Sequence, residues 1–297
     1  MAVPDSSTIS LDHELTNVDL TTVPILLPIQ EDGFRRERLQ QICNRHEICG
    51  LFADKLKQLE NFDIVIVADD SGSMNDPAGS VQINGVNNPY GGKATRWDEL
   101  KRTSGVIIDI ASTMATNGVD VYFLNRPPIL GVITHEQLDN TFKIKPAGAT
   151  PIVPILKKIF SKPPKQGKKR LVILMTDGRP TGPDGRGDDI AAFKACLMYD
   201  RREHDYVNII ACTDDDATMS YLNNWDVTIP RLDVIDDYGS EYQEIKKAQG
   251  KNFPFSYGDY VVKSMLGSVD PWFDHLDEIN VATGIRVYRA DDCCVIL

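Results

Sequence analysis

Two near-continuous apolar runs, Phe62–Ala68 (FDIVIVA) and Arg170–Thr176 (RLVILMT), constrain this chain more than any other feature. A strand with one wet face alternates apolar and polar residues; a run without alternation belongs to a strand covered on both faces. Between and after these runs, strand-length and helix-length patterns alternate. A helix is expected over Ala94–Asn117 with a stop at Gly118, then a strand at Val119–Leu124, a short helix near Thr134–Phe142 and a helix over Thr150–Phe160. After the second run come a helix at Asp188–His204, a strand at Val207–Cys212, a short helix at Thr218–Trp225, a strand at Leu232–Ile235, and helices at 240–249 and 256–267. Such alternation implies right-handed crossovers, hence an α/β fold: a doubly wound, mostly parallel central sheet with helices on both faces.

Residues 61–280 therefore read as one domain. Ahead of it, residues 1–60 form an N-terminal arm and helical extension. The Pro-containing stretch Val23–Ile29 (VPILLPI) is expected to be an edge strand or an extended arm. Residues 34–60 are expected to be helical, broken near Gly50, with Leu39, Ile42, Cys49, Leu51, Leu56 and Leu59 as an apolar stripe. Residues 281–297 form a C-terminal tail.

Ligands of such sheets bind beyond the carboxyl ends of the strands. The first buried strand ends in Asp69-Asp70-Ser71-Gly72-Ser73-Met74, and the second in Thr176-Asp177-Gly178-Arg179-Pro180; between them lies the tight turn Pro146-Ala147-Gly148-Ala149-Thr150-Pro151. Three loops thus bring two carboxylates and three hydroxyls to one edge, a hard-oxygen set suited to Mg²⁺. Singly, each piece has a plainer reading: Ser71 and Ser73 as turn residues or helix caps, Thr150 as the cap of its own helix, Asp-Gly as a common turn.

Jointly, D-x-S-x-S at Asp69–Ser73, G-x-T at Gly148–Thr150 and T-D-G at Thr176–Gly178 resemble the von Willebrand factor A family and its metal-ion-dependent adhesion site, over roughly residues 61–270. The resemblance implies a Rossmann-like fold in which Ser71, Ser73 and Thr150 are hydroxyl ligands of Mg²⁺, with Mn²⁺ or Ca²⁺ as substitutes. Asp69 and Asp177 would hold the cation largely through water. Two carboxylates roughly neutralise a dication and leave it able to accept an anionic oxygen, an Asp or Glu of a protein partner. The resemblance further implies that movement of a C-terminal helix, here 256–267, switches affinity.

Three features depart from the simplest pattern. Asp70 adds a second carboxylate whose side chain should alternate away from Asp69, toward a structural role rather than ligation. Asp76–Lys93 is a long Gly/Asn/Pro-rich insertion leaving the metal rim, either shaping the ligand surface or not. Asp214-Asp215-Asp216 follows another strand on the same edge, as a helix cap or a second cation site.

Enzymatic readings find no support in the motifs. A haloacid-dehalogenase-type phosphatase needs D-x-D after its first strand, whereas Asp69 is followed two residues on by Ser71. Neither G-x-S, a P-loop nor G-x-G-x-x-G occurs. Of the histidines, His13 and His46 precede the domain, His204 lies near a helix end, and His135 and His275 lack local catalytic companions. The expectation is a binding module and not an enzyme; the alternatives are a Mg²⁺-dependent phosphohydrolase or a domain whose metal is purely structural.

Charge bears on partners. Lys and Arg total 32 against 43 Asp and Glu, a net charge of −11, which disfavours nucleic acid. Lys157–Arg170 (KKIFSKPPKQGKKR) is the exception, basic at seven of fourteen positions, and is read as a solvated loop at the opposite sheet edge or as a face toward anionic lipid. No signal-peptide pattern opens the sequence, no apolar run suits a bilayer span, and Cys43, Cys49, Cys196 and Cys212 fit no zinc spacing, so an intracellular protein with free thiols is expected. The last four residues, Cys294-Val295-Ile296-Leu297, form a C-a-a-X box with Leu at the end, the geranylgeranylation signal. Prenylation at Cys294, with Cys293 open to palmitate, would tether the domain to the cytoplasmic face of a membrane.

Overall fold

A computed structural model describes residues 28–78, 94–114, 117–213, 215–222, 225–277 and 280–281. The prenylation motif with Cys293 and Cys294, the Val23–Leu27 part of the proline-containing stretch, and residues 79–93 of the insertion lie outside them. Pro28 and Ile29, expected to be extended, instead open helix α1 (Pro28–Arg45).

Both apolar runs form strands: β1 (Phe62–Ala68) is buried throughout, and β4 (Lys169–Thr176) at all but its first residue. With β2 (Val119–Phe123), β3 (Ile129–Val132), β5 (Asp205–Ala211) and β6 (Leu232–Ile235) they make a six-stranded sheet in the order β3-β2-β1-β4-β5-β6. Every neighbour pair is parallel except β2–β3. The fold is α/β as expected, with β3 as an antiparallel edge that sequence periodicity does not mark: four residues after Pro127-Pro128 are too short to show a period.

Period-two geometry divides the buried strands between two cores. Ile64, Ile66 and Ala68 of β1 pack with Leu171 and Ile173 against α3 (Arg96–Met114) and α10 (Tyr257–Leu266). Val65 and Val67 face the other way, with Val172, Leu174, Val207 and Ile209, against α5 (Ile152–Phe160) and α6 (Ile190–Ala195). The helix expected to run to His204 passes from α6 into a π-turn, Cys196–Asp200, and stops. Asp205 accepts from Arg202 N at 2.9 Å there, and β5 begins two residues earlier than expected. Short helices α4 (Asp139–Phe142), α7 (Asp216–Met219) and α8 (Trp225–Thr228), then α9 (Tyr238–Gln249) and α11 (Pro271–Asp274), complete the cover.

The N-terminal extension is part of this packing. After α1, the chain turns through α2 (Gly50–Ala53) and a 3₁₀ stretch, Asp54–Asn61, that buries Leu56 and Leu59 completely. Phe52 sits among Phe253, Phe255, Trp272 and Phe273 at centroid distances of 5.4–6.5 Å. Leu51, expected in the stripe, is 46% exposed, because the break at Gly50 rotates the helical phase. Asp109 on α3 ties this extension down, bonding His46 Nε2 at 3.1 Å and His135 Nδ1 at 2.9 Å. Burial alone would raise the Asp109 carboxyl, but hydrogen bonds from both imidazoles hold it below the usual carboxylate range.

The extension comes close to α10 at Gly258, where a Cβ would lie 2.1 Å from His46 O and 2.8 Å from Ile48 Cγ1. The next residue, Asp259, accepts from Cys49 N at 2.8 Å. Gly258→Ala is therefore expected to push the extension off α10 and to cost about 1–3 kcal/mol in urea denaturation. The variant should also gain protease sensitivity within 28–50. Stability within about 0.5 kcal/mol of wild type would show that the extension does not dock there.

Candidate functional site

The strand order reverses between β1 and β4, so their carboxyl ends open the crevice where such sheets bind ligands. Asp69 adds one rung to that ladder: its N–H donates to Met175 O at 3.0 Å, which fixes its side chain beside Thr176 and Asp177. One carboxylate oxygen accepts from Ser71 N at 2.8 Å, the other from Thr176 Oγ1 at 2.5 Å. The Ser71 and Ser73 hydroxyls lie 3.1 Å apart, and Ser73 Oγ donates to Asp177 Oδ1 at 2.8 Å. Asp69, Ser71, Ser73 and Asp177 thus form one connected set. The plain helix-cap reading of Ser71 does not hold, because its hydroxyl caps nothing in the following turn, Gly72–Asn75.

The third loop arrives through backbone bonds. Ala147 N donates to Asp70 O at 2.9 Å, Gly72 N to Gly148 O at 3.1 Å, and Asn75 Nδ2 to Pro146 O at 2.8 Å. Gly148 has φ +111°, and a Cβ there would lie 2.5 Å from Asn125 Oδ1, so this crossing admits only glycine. Thr150 follows, buried, its N–H donating to Thr181 Oγ1 at 3.0 Å and its carbonyl accepting from Thr181 N at 2.9 Å. Its hydroxyl does not cap α5, whose N-cap position is Pro151.

Electrostatically the site holds two buried carboxylates on neighbouring strands. Burial, with Asp177 adding repulsion, pushes the Asp69 carboxyl up to about 6. Arg96, at the start of α3, pairs with the second of them: its Nη1 lies 2.7 Å from Asp177 Oδ2 and 3.9 Å from Asp76 Oδ2. Arg96 carries no signal in the sequence, since an ion pair spanning 81 positions across an insertion leaves no local pattern. Among the described residues no group of three or more His, Cys, Asp or Glu side chains is arranged to hold a metal, so any cation here relies on hydroxyls. Two buried carboxylates with two serine hydroxyls between them make an all-oxygen set of the kind Mg²⁺ prefers.

Other expectations resolve plainly. Asp70 turns away and takes the structural role: it accepts from Asn125 N at 2.8 Å and pairs with Arg126 Nε at 3.1 Å. Asp215 caps α7, accepting from Thr218 N and Oγ1 at 3.3 and 2.7 Å, while Asp214 lies outside the described residues. The basic segment does sit at the opposite edge, but it faces strand-start carboxylates: Lys165 lies 2.6 Å from Asp120, and Arg170 3.3 Å from Asp205. No described helix is long and apolar enough to cross a membrane.

No protein-family profile and no curated protein matches the chain. Two solved structures share part of its shape. A mutant of the PilB minor pilin from Streptococcus sanguinis is 13% identical over 72% of this chain and 62% of its own, with a TM-score of 0.41. The chain spans less than two thirds of that pilin. An aerotolerance-related membrane protein from Bacteroides fragilis is 17% identical over 62% of this chain and 95% of its own, with a TM-score of 0.38.

Proposed function

We propose that the chain is a divalent-cation-dependent binding module, in which Asp69, Ser71, Ser73, Thr150 and Asp177 hold Mg²⁺ and a protein partner supplies an acidic side chain. The reading rests on one observation above all: Asp69, Ser71, Ser73 and Asp177 form a connected polar set at the strand-order reversal. The von Willebrand factor A resemblance of the same residues supports it. Bound there, the cation supplies a Lewis-acidic position for a carboxylate. The chain's own work is positional, since Ser71 N–H and Thr176 Oγ1 orient Asp69 while the Thr181 loop sets Thr150 in place.

Saturating Mg²⁺ should stabilise the protein by mass action, about 2.7 kcal/mol at a hundred times Kd, or roughly 5–10 °C in Tm for a chain of this size. Differential scanning fluorimetry in Mg²⁺ and in EDTA reads this, and Ser73→Ala and Asp177→Ala should erase the difference. An unmoved wild-type Tm would end the metal reading. A purely structural cation would give the Tm shift without EDTA-sensitive capture of Asp- or Glu-bearing peptides, and a hydrolase would turn over a generic phosphoester.

A further inference from the structure

Asp177 is paired with an arginine, Arg96, which has a second carboxylate, Asp76, 3.9 Å away. Asp177 is fully engaged: Oδ1 accepts from Ser73, and Oδ2 takes the Arg96 guanidinium. A dication held by Asp177 would stand next to that positive charge, with repulsion that a site shielded from water screens poorly. Arg96 also begins α3, where the helix dipole disfavours a cation, so its position there depends on the carboxylates around it.

The backbone around Arg96 prepares an alternative. Arg96 N donates to Asp76 O at 3.0 Å, Ala78 N to Ala94 O at 2.8 Å, and Pro77 bridges to Thr95. This neck fixes the start and end of the 76–96 segment side by side. The guanidinium on Asp177 thus already lies 3.9 Å from Asp76, whose side chain is 64% exposed. We propose, resting on the metal reading above, that Arg96 competes with the divalent cation for Asp177 and is received by Asp76 when the cation binds. Arg96 then sets the affinity of the site, and cation binding is transmitted to the neck of the insertion.

Isothermal titration of Mg²⁺, repeated with Mn²⁺, into wild type, Arg96→Gln and Asp76→Asn tests this. Removing the competitor should lower Kd about tenfold, and removing the receiving carboxylate should raise it about threefold. Asp76 is exposed, so Asp76→Asn remains informative if Arg96→Gln folds poorly. Equal affinities for all three proteins, or weaker binding by Arg96→Gln, would overturn the competition and leave the metal reading standing. Binding by Arg96→Gln alone would support both. Absence of binding in wild type and Arg96→Gln, with both folded, would overturn the metal reading and the competition with it.

Discussion

Lys263→Met is expected to destabilise the protein by about 3–5 kcal/mol near pH 8 and by clearly less near pH 5. Lys263 lies on α10 with its side chain 3% exposed, 3.3 Å from Glu241 on α9, which is equally buried. Burial alone would lower the lysine, but Glu241, Asp277 and Asp233 hold it well above its ordinary range, so it is a cation in the core. Glu241 is pushed up to about 8: burial is the main cause, Lys263 opposes it, and Asp277, Asp236 and Asp233 add to it. A carboxyl raised in the folded state favours folding fully below its unfolded value, about 4.5, and that contribution is lost as pH rises through about 8. Without Lys263, Glu241 loses the cation that opposes its burial, and protonation relieves its charge. Acid should therefore restore part of the stability. Urea unfolding of wild type and variant at both pH values reads the difference, and an equal loss at each would show that packing, not charge, dominates. Lys263→Met combined with Glu241→Leu should recover part of the loss, because two apolar side chains leave one fewer charge buried.

That ion pair marks the limit of what the sequence makes legible. β1 and β4 are visible because a strand covered on both faces cannot alternate, and Leu232–Ile235 because three of its four residues are apolar. The sheet order is not visible, since it depends on which helices cover which face. β3 is hidden by its length, and the phase break at Gly50 left Leu51 outside the stripe its spacing implies. Within the site, Asp69, Ser71 and Ser73 are local to one turn, and Asp177 follows the neighbouring strand, so strand-end logic suffices to bring them together. Arg96 escapes that logic: its partner is fixed by where α3 starts after a long insertion, a tertiary outcome with no periodic signal. Thr181 escapes it likewise, because only the folded loop shows that it holds Thr150 on both sides.

Asp70 and Asp177 are both buried acids at this edge, and substitution should separate their roles. Asp70→Ala is expected to cost about 3–5 kcal/mol, comparable to breaking a buried ion pair by deleting one partner. Its Oδ1 accepts from Asn125 N at 2.8 Å and Asn125 Nδ2 at 3.1 Å, and its Oδ2 pairs with Arg126, only 16% of whose side chain is exposed. Arg126 in turn donates to Thr141 O at 3.2 Å and Lys145 O at 2.7 Å and lies 5.2 Å from the Trp97 ring, while Asn125 Nδ2 also reaches Ala149 O at 2.9 Å. Asp70 thereby joins the end of β2 to the turn that carries Thr150, and losing it strands a guanidinium and a backbone N–H together. Asp70→Asn keeps the shape and one acceptor, so it should lose less stability and leave Mg²⁺ affinity within about threefold of wild type, less than half the 1.4 kcal/mol that a tenfold change represents. Asp177→Ala should abolish Mg²⁺ binding, and it should cost stability as well, because it leaves Arg96 without its 2.7 Å partner. Chemical denaturation and calorimetry on the three variants decide between the roles. Full stability with lost metal binding in Asp70→Asn would make Asp70 a ligand, contrary to the Asn125 hydrogen bonds on its Oδ1 and the Arg126 ion pair on its Oδ2.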